Sequence, residues 1–184
     1  MKIVEPKATH RVPDGIIEGK DVKKTVKLYK DAKSFYANED VNLADDVCMY
    51  TVYSYQVGDP NEQGNLIWGL SILEPVLVNG ECNMTRGHFH EDEGCAEFYQ
   101  GLSGEGLLML MDGQGEIVAE KVFPGSLHYI AGNLAHRLIC TGDVPMKVVA
   151  CWPSTAGHDY ARVEKHPFTA RVFKKDNELI IEER

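Results

Sequence analysis

The chain has 184 residues, of which 43% are hydrophobic, and a mean hydropathy of −0.27, so it is long enough for one domain with a sizeable core and is typical of globular proteins. Its net charge of −9 and its lack of basic runs argue against a nucleic-acid partner, and no stretch approaches the roughly 20 apolar residues that a membrane-spanning helix needs. The five cysteines are scattered without a CxxC pair and the N-terminus has no signal-peptide pattern, which together predict reduced thiols and a cytoplasmic location.

The N-terminal part of the chain predicts short strands and a short helix. We expect an irregular arm over residues 1–20, interrupted by a strand at 15–19, and a second strand over 22–28, where apolar residues share one parity. Asp31 then predicts the cap of a short helix that ends at Asn38.

Beyond residue 48 the sequence predicts a series of short β-strands. The candidates are rich in β-branched, aromatic and leucine residues, and turn segments such as SGEG and PGS separate them. Asp112-Gly113, with Gly115 close behind, marks a hairpin turn. Seven or more strands punctuated in this way predict an all-β sandwich or barrel. The candidates are CMYTVYSYQV, LIWGLSILEPVLV, GLLMLM, EIVAEKVF, SLHYIA, HRLIC and MKVVACW.

The segment HFHEDEGCAEFYQG, residues 88–101, contains most of the candidate metal ligands. His88 and His90 lie two residues apart, so on a strand both imidazoles project from one face. If the strand that resumes after EDEGC pairs with theirs as a hairpin, Glu97 faces the same interior. His136, at the start of an apolar strand, is the fourth candidate. Three imidazoles and one carboxylate suit iron, manganese, nickel or zinc, and leave positions for water or substrate.

The remaining histidines and the acidic turn have simpler interpretations. His128 lies on an apolar strand and is expected to be packed or at a rim, while His10 and His166 lie in polar contexts typical of the surface. The acidic residues 91–93 are expected to stay solvated. The segment GHDY, residues 157–160, suits either a turn held by an aspartate side chain or contacts with a substrate.

Two groups of residues resemble the paired motifs of the cupin superfamily, one ending at Gly104 and one running from Gly125 to His136. The step from His90 to Glu97 is longer than in the usual cupin motif. The other departures from the motifs are Cys82, Ala131, Asn133 and Cys140.

The longer step and four separated segments are similar to the archaeal-type, cupin-fold glucose-6-phosphate isomerase. The segments are TRGHFH, AEFYQGLSGEG, AHR and AGHDY. The resemblance implies an all-β fold with a single cupin domain over residues 1–184, in which a double-stranded β-helix or jelly-roll barrel at 46–165 follows an N-terminal extension at 1–45 and precedes a C-terminal strand or tail at 166–184.

The resemblance also implies the chemistry. One divalent metal per subunit, with Fe²⁺ as the first candidate and Mn²⁺, Ni²⁺ or Zn²⁺ as alternatives, would be held by His88, His90, Glu97 and His136. Glu97 would be the catalytic base for the interconversion of glucose 6-phosphate and fructose 6-phosphate, through a cis-enediolate or, alternatively, beside a direct hydride shift. A homodimer is implied as well. The sugar phosphate would contact Tyr50, Ser71, Thr85, Arg86, Gly87, Tyr99, His158 and Tyr160.

Two other functions fit the same ligand set. A metal-dependent cupin dioxygenase also uses three histidines and a glutamate, but it would need an apolar substrate pocket, whereas TRG and AGHDY favour a polar one that receives an anion. A non-catalytic, sugar-binding cupin is the second alternative.

Overall fold

The computed structural model describes residues 1–11 and 15–183, so residues 12–14 of the predicted arm and residue 184 of the predicted tail lie outside the described residues. The described chain is almost entirely β-structure, with one short α-helix and two 3-10 turns. The strands are β1 (Ala8–Arg11), β2 (Ile16–Gly19), β3 (Val22–Leu28), β4 (Cys48–Gln56), β5 (Leu66–Leu73), β6 (Leu77–Val78), β7 (Glu81–Cys82), β8 (Glu97–Ser103), β9 (Gly106–Met111), β10 (Ile117–Val122), β11 (Leu127–Ile130), β12 (Ala135–Cys140), β13 (Met146–Pro153), β14 (Ala170–Lys175) and β15 (Glu178–Glu183), and the helix is α1 (Tyr160–Lys165).

Two antiparallel sheets face each other and form the body of the domain. One has six strands in the order β11-β8-β13-β5-β4-β3, and the other has three in the order β10-β9-β12. A four-stranded sheet, β15-β14-β7-β6, and the β1-β2 hairpin complete the fold. This arrangement confirms the predicted all-β architecture.

The main core lies between the two facing sheets. Leu108 and Leu138 of the three-stranded sheet pack in one buried cluster with Leu73 and Val148 of the six-stranded sheet. Alternate residues of β9, such as Met109, belong to a second cluster on the other side. Strand β9 is therefore buried on both faces, which explains its continuous apolar run GLLMLM.

The N-terminal prediction is partly correct. Strands β2 and β3 occupy the predicted segments, and β3 joins the six-stranded sheet beside β4. The helix from Asp31 to Asn38 is wrong: two 3-10 turns, Tyr29–Asp31 and Lys33–Phe35, replace it, and neither has a side-chain cap. The physical reason is Tyr36, which is extended and sends its hydroxyl into the core to donate to Asn83 Oδ1 at 2.9 Å.

The predicted hairpin turn is confirmed, because β9 and β10 pair in register from Met111 and Ile117 outward and Asp112 N–H donates to the Glu116 carbonyl. The C-terminal segment forms the β14-β15 hairpin. Within residues 1–11 and 15–183, the structure contains no helix with the length and apolar character needed to cross a membrane.

Candidate metal centre and substrate cavity

The three candidate histidines lie on one face of one sheet. Residues 84–89 run beside β12, where His88 and His136 are directly opposite each other and exchange backbone hydrogen bonds of 3.3 and 3.0 Å. Directly opposed residues of an antiparallel pair share a face, and His90 follows two residues after His88. As a result, the ligand nitrogens of the three histidines lie within 4.8 Å of one another.

Glu97 reaches the cluster from the facing sheet. It is the first residue of β8, and β8 pairs with β11 and β13. The hairpin between the His88–His90 segment and β8 is therefore wrong, because those two segments belong to opposite sheets. Glu97 still meets the histidines, because the inner faces of both sheets point into the same space.

The carboxylate of Glu97 makes two close contacts with imidazole nitrogens. Its Oε1 atom lies 2.7 Å from His136 Nε2 and 3.3 Å from His90 Nε2, and the side chain is only 4% exposed. Burial acts to raise the pKa of Glu97, but the contacts with His136 and His90 outweigh it and lower this pKa to about 2. Burial lowers the pKa of His88, and the neighbouring His136 adds to that shift. The site thus combines an ionised carboxylate with a neutral imidazole.

The donor set fits a divalent cation. His90 Nδ1 lies 2.6 Å from the Cys95 carbonyl oxygen, and His136 Nδ1 lies 3.3 Å from the Leu134 carbonyl oxygen. An Nδ1–H that donates to a carbonyl orients the ring and leaves the Nε2 lone pair for a metal. Although His136 Nε2 and Glu97 Oε1 are close, neither buried atom has a well-directed hydrogen-bond partner among the described residues. Converging atoms of this kind, left unsatisfied by the protein, are typical of metal ligands.

All twelve residues predicted for the site line a single cavity of about 250 Å³. The four ligand candidates lie together, and the eight residues predicted to contact the substrate surround them. The lining mixes polar and apolar groups: Tyr50, Thr85 and Tyr99 supply hydroxyl groups, Arg86 supplies a cation, and Leu70 and Leu138 are apolar. Thr85 Oγ1 accepts from Leu138 N–H at 3.0 Å, so its own O–H is left to donate into the cavity.

Helix α1 places the last two candidates. Asp159 caps the helix by accepting from Arg162 N–H at 2.9 Å, and Asp159 N–H donates to the Phe89 carbonyl at 2.8 Å. These bonds fix His158 with its ring 4.3 Å from that of His88, and stack Tyr160 on His158 with the two rings 11° apart. The aspartate turn expected for GHDY is therefore present, and His158 and Tyr160 line the cavity. Their contact with a substrate stays a prediction.

Arg86 lies at the mouth of the cavity. Its guanidinium stacks over the Tyr160 ring, 4.2 Å from the ring centroid, and pairs with the exposed carboxylate of Glu164. Burial raises the pKa of Tyr50 to about 12, with Tyr160 adding to the shift and Arg86 opposing it. The tyrosine hydroxyls are therefore protonated hydrogen-bond donors at neutral pH.

His128, His166 and the acidic turn match their predictions. His128 is buried and is held by Glu120 and Ser126, His166 is exposed, and residues 91–93 are exposed. His10 is half-buried against Trp68, which corrects its assignment to the surface.

Sequence reasoning missed the residues that make room for the cavity. Ser54, Gly69 and Ala150 are consecutive partners in one row across β4, β5 and β13, and that row ends on Tyr99. Their small side chains leave space in front of the ligands. Trp152 also lines the cavity, and a β-carbon on Gly69 would lie 2.5 Å from its ring. The alternation along β13 from Ala150 to Trp152 is the signal that could have found them.

Two facing sheets that bring three histidines and one buried carboxylate into one cavity define an all-β protein with a candidate metal centre. The chain matches the family described as "Glucose-6-phosphate isomerase (GPI)" over residues 20–183. It belongs to the glucose-6-phosphate isomerase family and is an enzyme of that family.

Named relatives are similar along most of the chain. Glucose-6-phosphate isomerase of Thermococcus kodakarensis is 32% identical over 168 residues, which cover 90% of this chain and 87% of the relative. The enzyme of Pyrococcus furiosus is 31% identical over 169 residues, with 90% and 87% covered. A solved structure, oxalate decarboxylase from Bacillus subtilis, is similar with a TM-score of 0.46 and 17% identity, over 59% of this chain and 26% of that one.

Proposed function

We propose that this enzyme interconverts glucose 6-phosphate and fructose 6-phosphate with the help of one divalent cation per subunit, held by His88, His90, Glu97 and His136. The observation that carries the proposal is the convergence of the three imidazoles and the buried carboxylate inside one cavity whose lining also includes hydroxyl groups and an arginine. Fe²⁺ is the first candidate for the cation, and Mn²⁺, Ni²⁺ and Zn²⁺ suit the same donors.

The cavity suits a sugar phosphate despite the net charge of −9. Arg86 offers a guanidinium group at the mouth, and Thr85 and the Gly87 backbone lie beside it in the cavity lining. A phosphate dianion needs local donors and a local cation rather than a basic surface, and a guanidinium matches the geometry of phosphate oxygens. Ser71, Tyr50, Tyr99, His158 and Tyr160 would contact the rest of the substrate.

By the enediolate route, conversion of the aldose to the ketose moves one proton from C2 to C1 and a second from the C2 hydroxyl to the C1 oxygen, and the reverse reaction returns both. Glu97 is ionised, buried and inside the cavity, so it is the group we assign to the transfer between C2 and C1. When bound, a divalent cation polarises substrate oxygens and stabilises the negative charge that develops on them. His136 and His90 contact the Glu97 carboxylate and orient it, and the Trp152 ring lines the same cavity.

Turnover of fructose 6-phosphate to glucose 6-phosphate tests the function directly. We expect activity in the protein as purified with metal, loss of activity after treatment with a chelator, and recovery when Fe²⁺ or Mn²⁺ is added back. No turnover by the metal-loaded protein would contradict the proposal. Oxygen uptake instead of isomerisation would favour the dioxygenase alternative.

The variant Glu97→Gln tests the role of the carboxylate, with metal content measured separately. Loss of a general base lowers turnover by roughly 10²–10⁴-fold. The matched control Glu105→Gln changes an exposed carboxylate in the β8-β9 turn, at the other end of β8 from Glu97, and is expected to leave turnover unchanged. A Glu97→Gln protein that holds metal and retains full turnover would contradict the assignment of the base.

We also propose a homodimer in the cytoplasm. The outer face of the six-stranded sheet supports the dimer, because Tyr129, Phe98, Cys151 and Trp68 are consecutive cross-strand partners that form an apolar row there. Phe98 and Tyr129 are 51% and 57% exposed, and their rings pack 5.4 Å apart. Exposed apolar rows of this kind are typical of protein–protein contacts.

A further inference from the structure

A second cavity, of about 590 Å³, adjoins the substrate cavity and has a different chemical character. Its volume lies within the usual range of small-molecule sites. It shares Arg86 and Tyr160 with the substrate cavity but contains none of the four ligand candidates. Its charged lining consists of four cationic side chains, Lys27, Arg86, Arg137 and Arg171, and two carboxylates, Asp31 and Glu164.

The placement of Arg137 follows from strand alternation. Arg137 is next to His136 on β12, so the two side chains project from opposite faces of the sheet. His136 points into the substrate cavity, and Arg137 lines the second cavity on the far side. The strand therefore presents a metal-ligand candidate on one face and a cation on the other.

Arg137 is an inadequately compensated buried charge. It is 9% exposed, donates to the Arg86 carbonyl at 3.0 Å and to Met84 sulfur at 2.9 Å, and stacks over Phe168 with 4.0 Å to the ring centroid. Across residues 1–11 and 15–183 no carboxylate forms an ion pair with it, and its Nε atom has no hydrogen-bond partner. A buried guanidinium held only by neutral groups carries a large desolvation cost.

The nearest buried carboxylate is already engaged. Glu81 Oε1 lies 2.5 Å from Arg171 Nη1, and Glu81 Oε2 accepts from Ala37 N–H at 2.7 Å. Glu164 at the cavity wall is 67% exposed and pairs with Arg86. Asp31, the other carboxylate in the lining, is exposed and forms no ion pair with Arg137 in the described part of the chain. Four cationic side chains therefore share the lining with only two carboxylates, although the net charge of the protein is −9.

We propose that the second cavity binds a phosphate dianion, distinct from the phosphate group of the substrate, between Arg137, Arg171 and Lys27. Guanidinium groups match phosphate oxygens in geometry and in charge, and a dianion would supply the counter-charge that the chain does not. Free inorganic phosphate and the phosphoryl group of a small metabolite share this chemistry, and the titrations below distinguish the two sources.

Calorimetric titration with inorganic phosphate tests the site in the full chain. The variant Lys27→Gln changes a half-buried side chain on β3 that lines only the second cavity, and it should weaken phosphate binding by roughly three- to tenfold. Lys23→Gln, an exposed lysine on the same strand, is the matched control and should have no effect. Arg137→Met should weaken binding by about tenfold or more, and its circular dichroism spectrum shows whether it has folded.

Tyr50→Phe separates the two cavities, because Tyr50 lines only the substrate cavity. The proposal predicts unchanged phosphate affinity in this variant. Phosphate binding that is weakened by Tyr50→Phe but not by Lys27→Gln would place the anion in the substrate cavity and overturn the proposal, as would a complete lack of binding at millimolar phosphate. Repeating the titration with a phosphorylated three-carbon acid shows which source of phosphate is preferred. Fructose 6-phosphate turnover, measured separately, decides the isomerase proposal without bearing on this one.

Discussion

Substitution of Gly69 by alanine should narrow the substrate cavity without disrupting the fold. Gly69 lies in the middle of β5 outside the left-handed region of φ, so alanine costs nothing in backbone conformation. Its β-carbon, however, would lie 2.5 and 2.6 Å from two ring atoms of Trp152, and the indole must move. Overpacking lowers the free energy of unfolding by about 1–3 kcal/mol. Because the ring can move into the open cavity beside it, we expect Gly69→Ala to lower this free energy by about 1 kcal/mol.

Because the displaced indole moves into the cavity, the KM for fructose 6-phosphate should rise by roughly tenfold while urea unfolding changes little. Gly113→Ala is the control: its β-carbon meets only Arg162 Nη2, at 3.4 Å, and the variant should match the parent protein. In a Trp152→Leu background the ring is absent, so Gly69→Ala should no longer raise KM. An unchanged KM in the single variant, or an equal rise in both backgrounds, would refute the reasoning.

Two further substitutions test the charge network and the proposed dimer. Glu81→Gln removes the carboxylate from the buried pair with Arg171 and should lower the free energy of unfolding in urea by about 3 kcal/mol. Glu164→Gln, in an exposed pair, should lower it by less than about 1 kcal/mol. Equal losses in the two variants would contradict the assigned burial. Phe98→Lys places a charge in the apolar row and should shift the mass from light scattering from dimer to monomer, whereas Val118→Lys, at another exposed apolar position, should not. A monomeric parent protein, or a Phe98→Lys dimer, would remove the support for that face.

The sequence predicts well what alternation and turn chemistry encode. The hairpin at Asp112 and the shared face of His88 and His90 needed only local patterns. Pairing between distant strands is not encoded locally, and for that reason the hairpin expected between the His88–His90 segment and β8 was wrong although the position of Glu97 was right. The resemblance to the family groups Glu97 with the histidines without depending on that hairpin.

Strands that are buried on both faces of a sheet set a second limit on what the sequence predicts. All six residues of β12 are buried, so its pattern contains no polar alternation that distinguishes one face from the other. The imidazole of His136 marks it as a ligand candidate, whereas nothing in the sequence around Arg137 indicates a second cavity. The position of Arg137 in a separate cavity depends on packing against Phe168, which is distant in sequence and leaves no local signal.

The origin of the ligand candidates in two sheets links the metal centre to the core. Backbone hydrogen bonds hold His88 and His136 opposite each other, whereas the backbone of Glu97 is held relative to the histidines by the packing between the facing sheets. That packing is the apolar cluster containing Leu108, Leu138 and Val148. A cation bound by all four groups would therefore connect the two sheets directly, and its binding energy would add to the cohesion of the core. The same connection makes the ligand geometry depend on apolar residues that never touch the metal or the substrate.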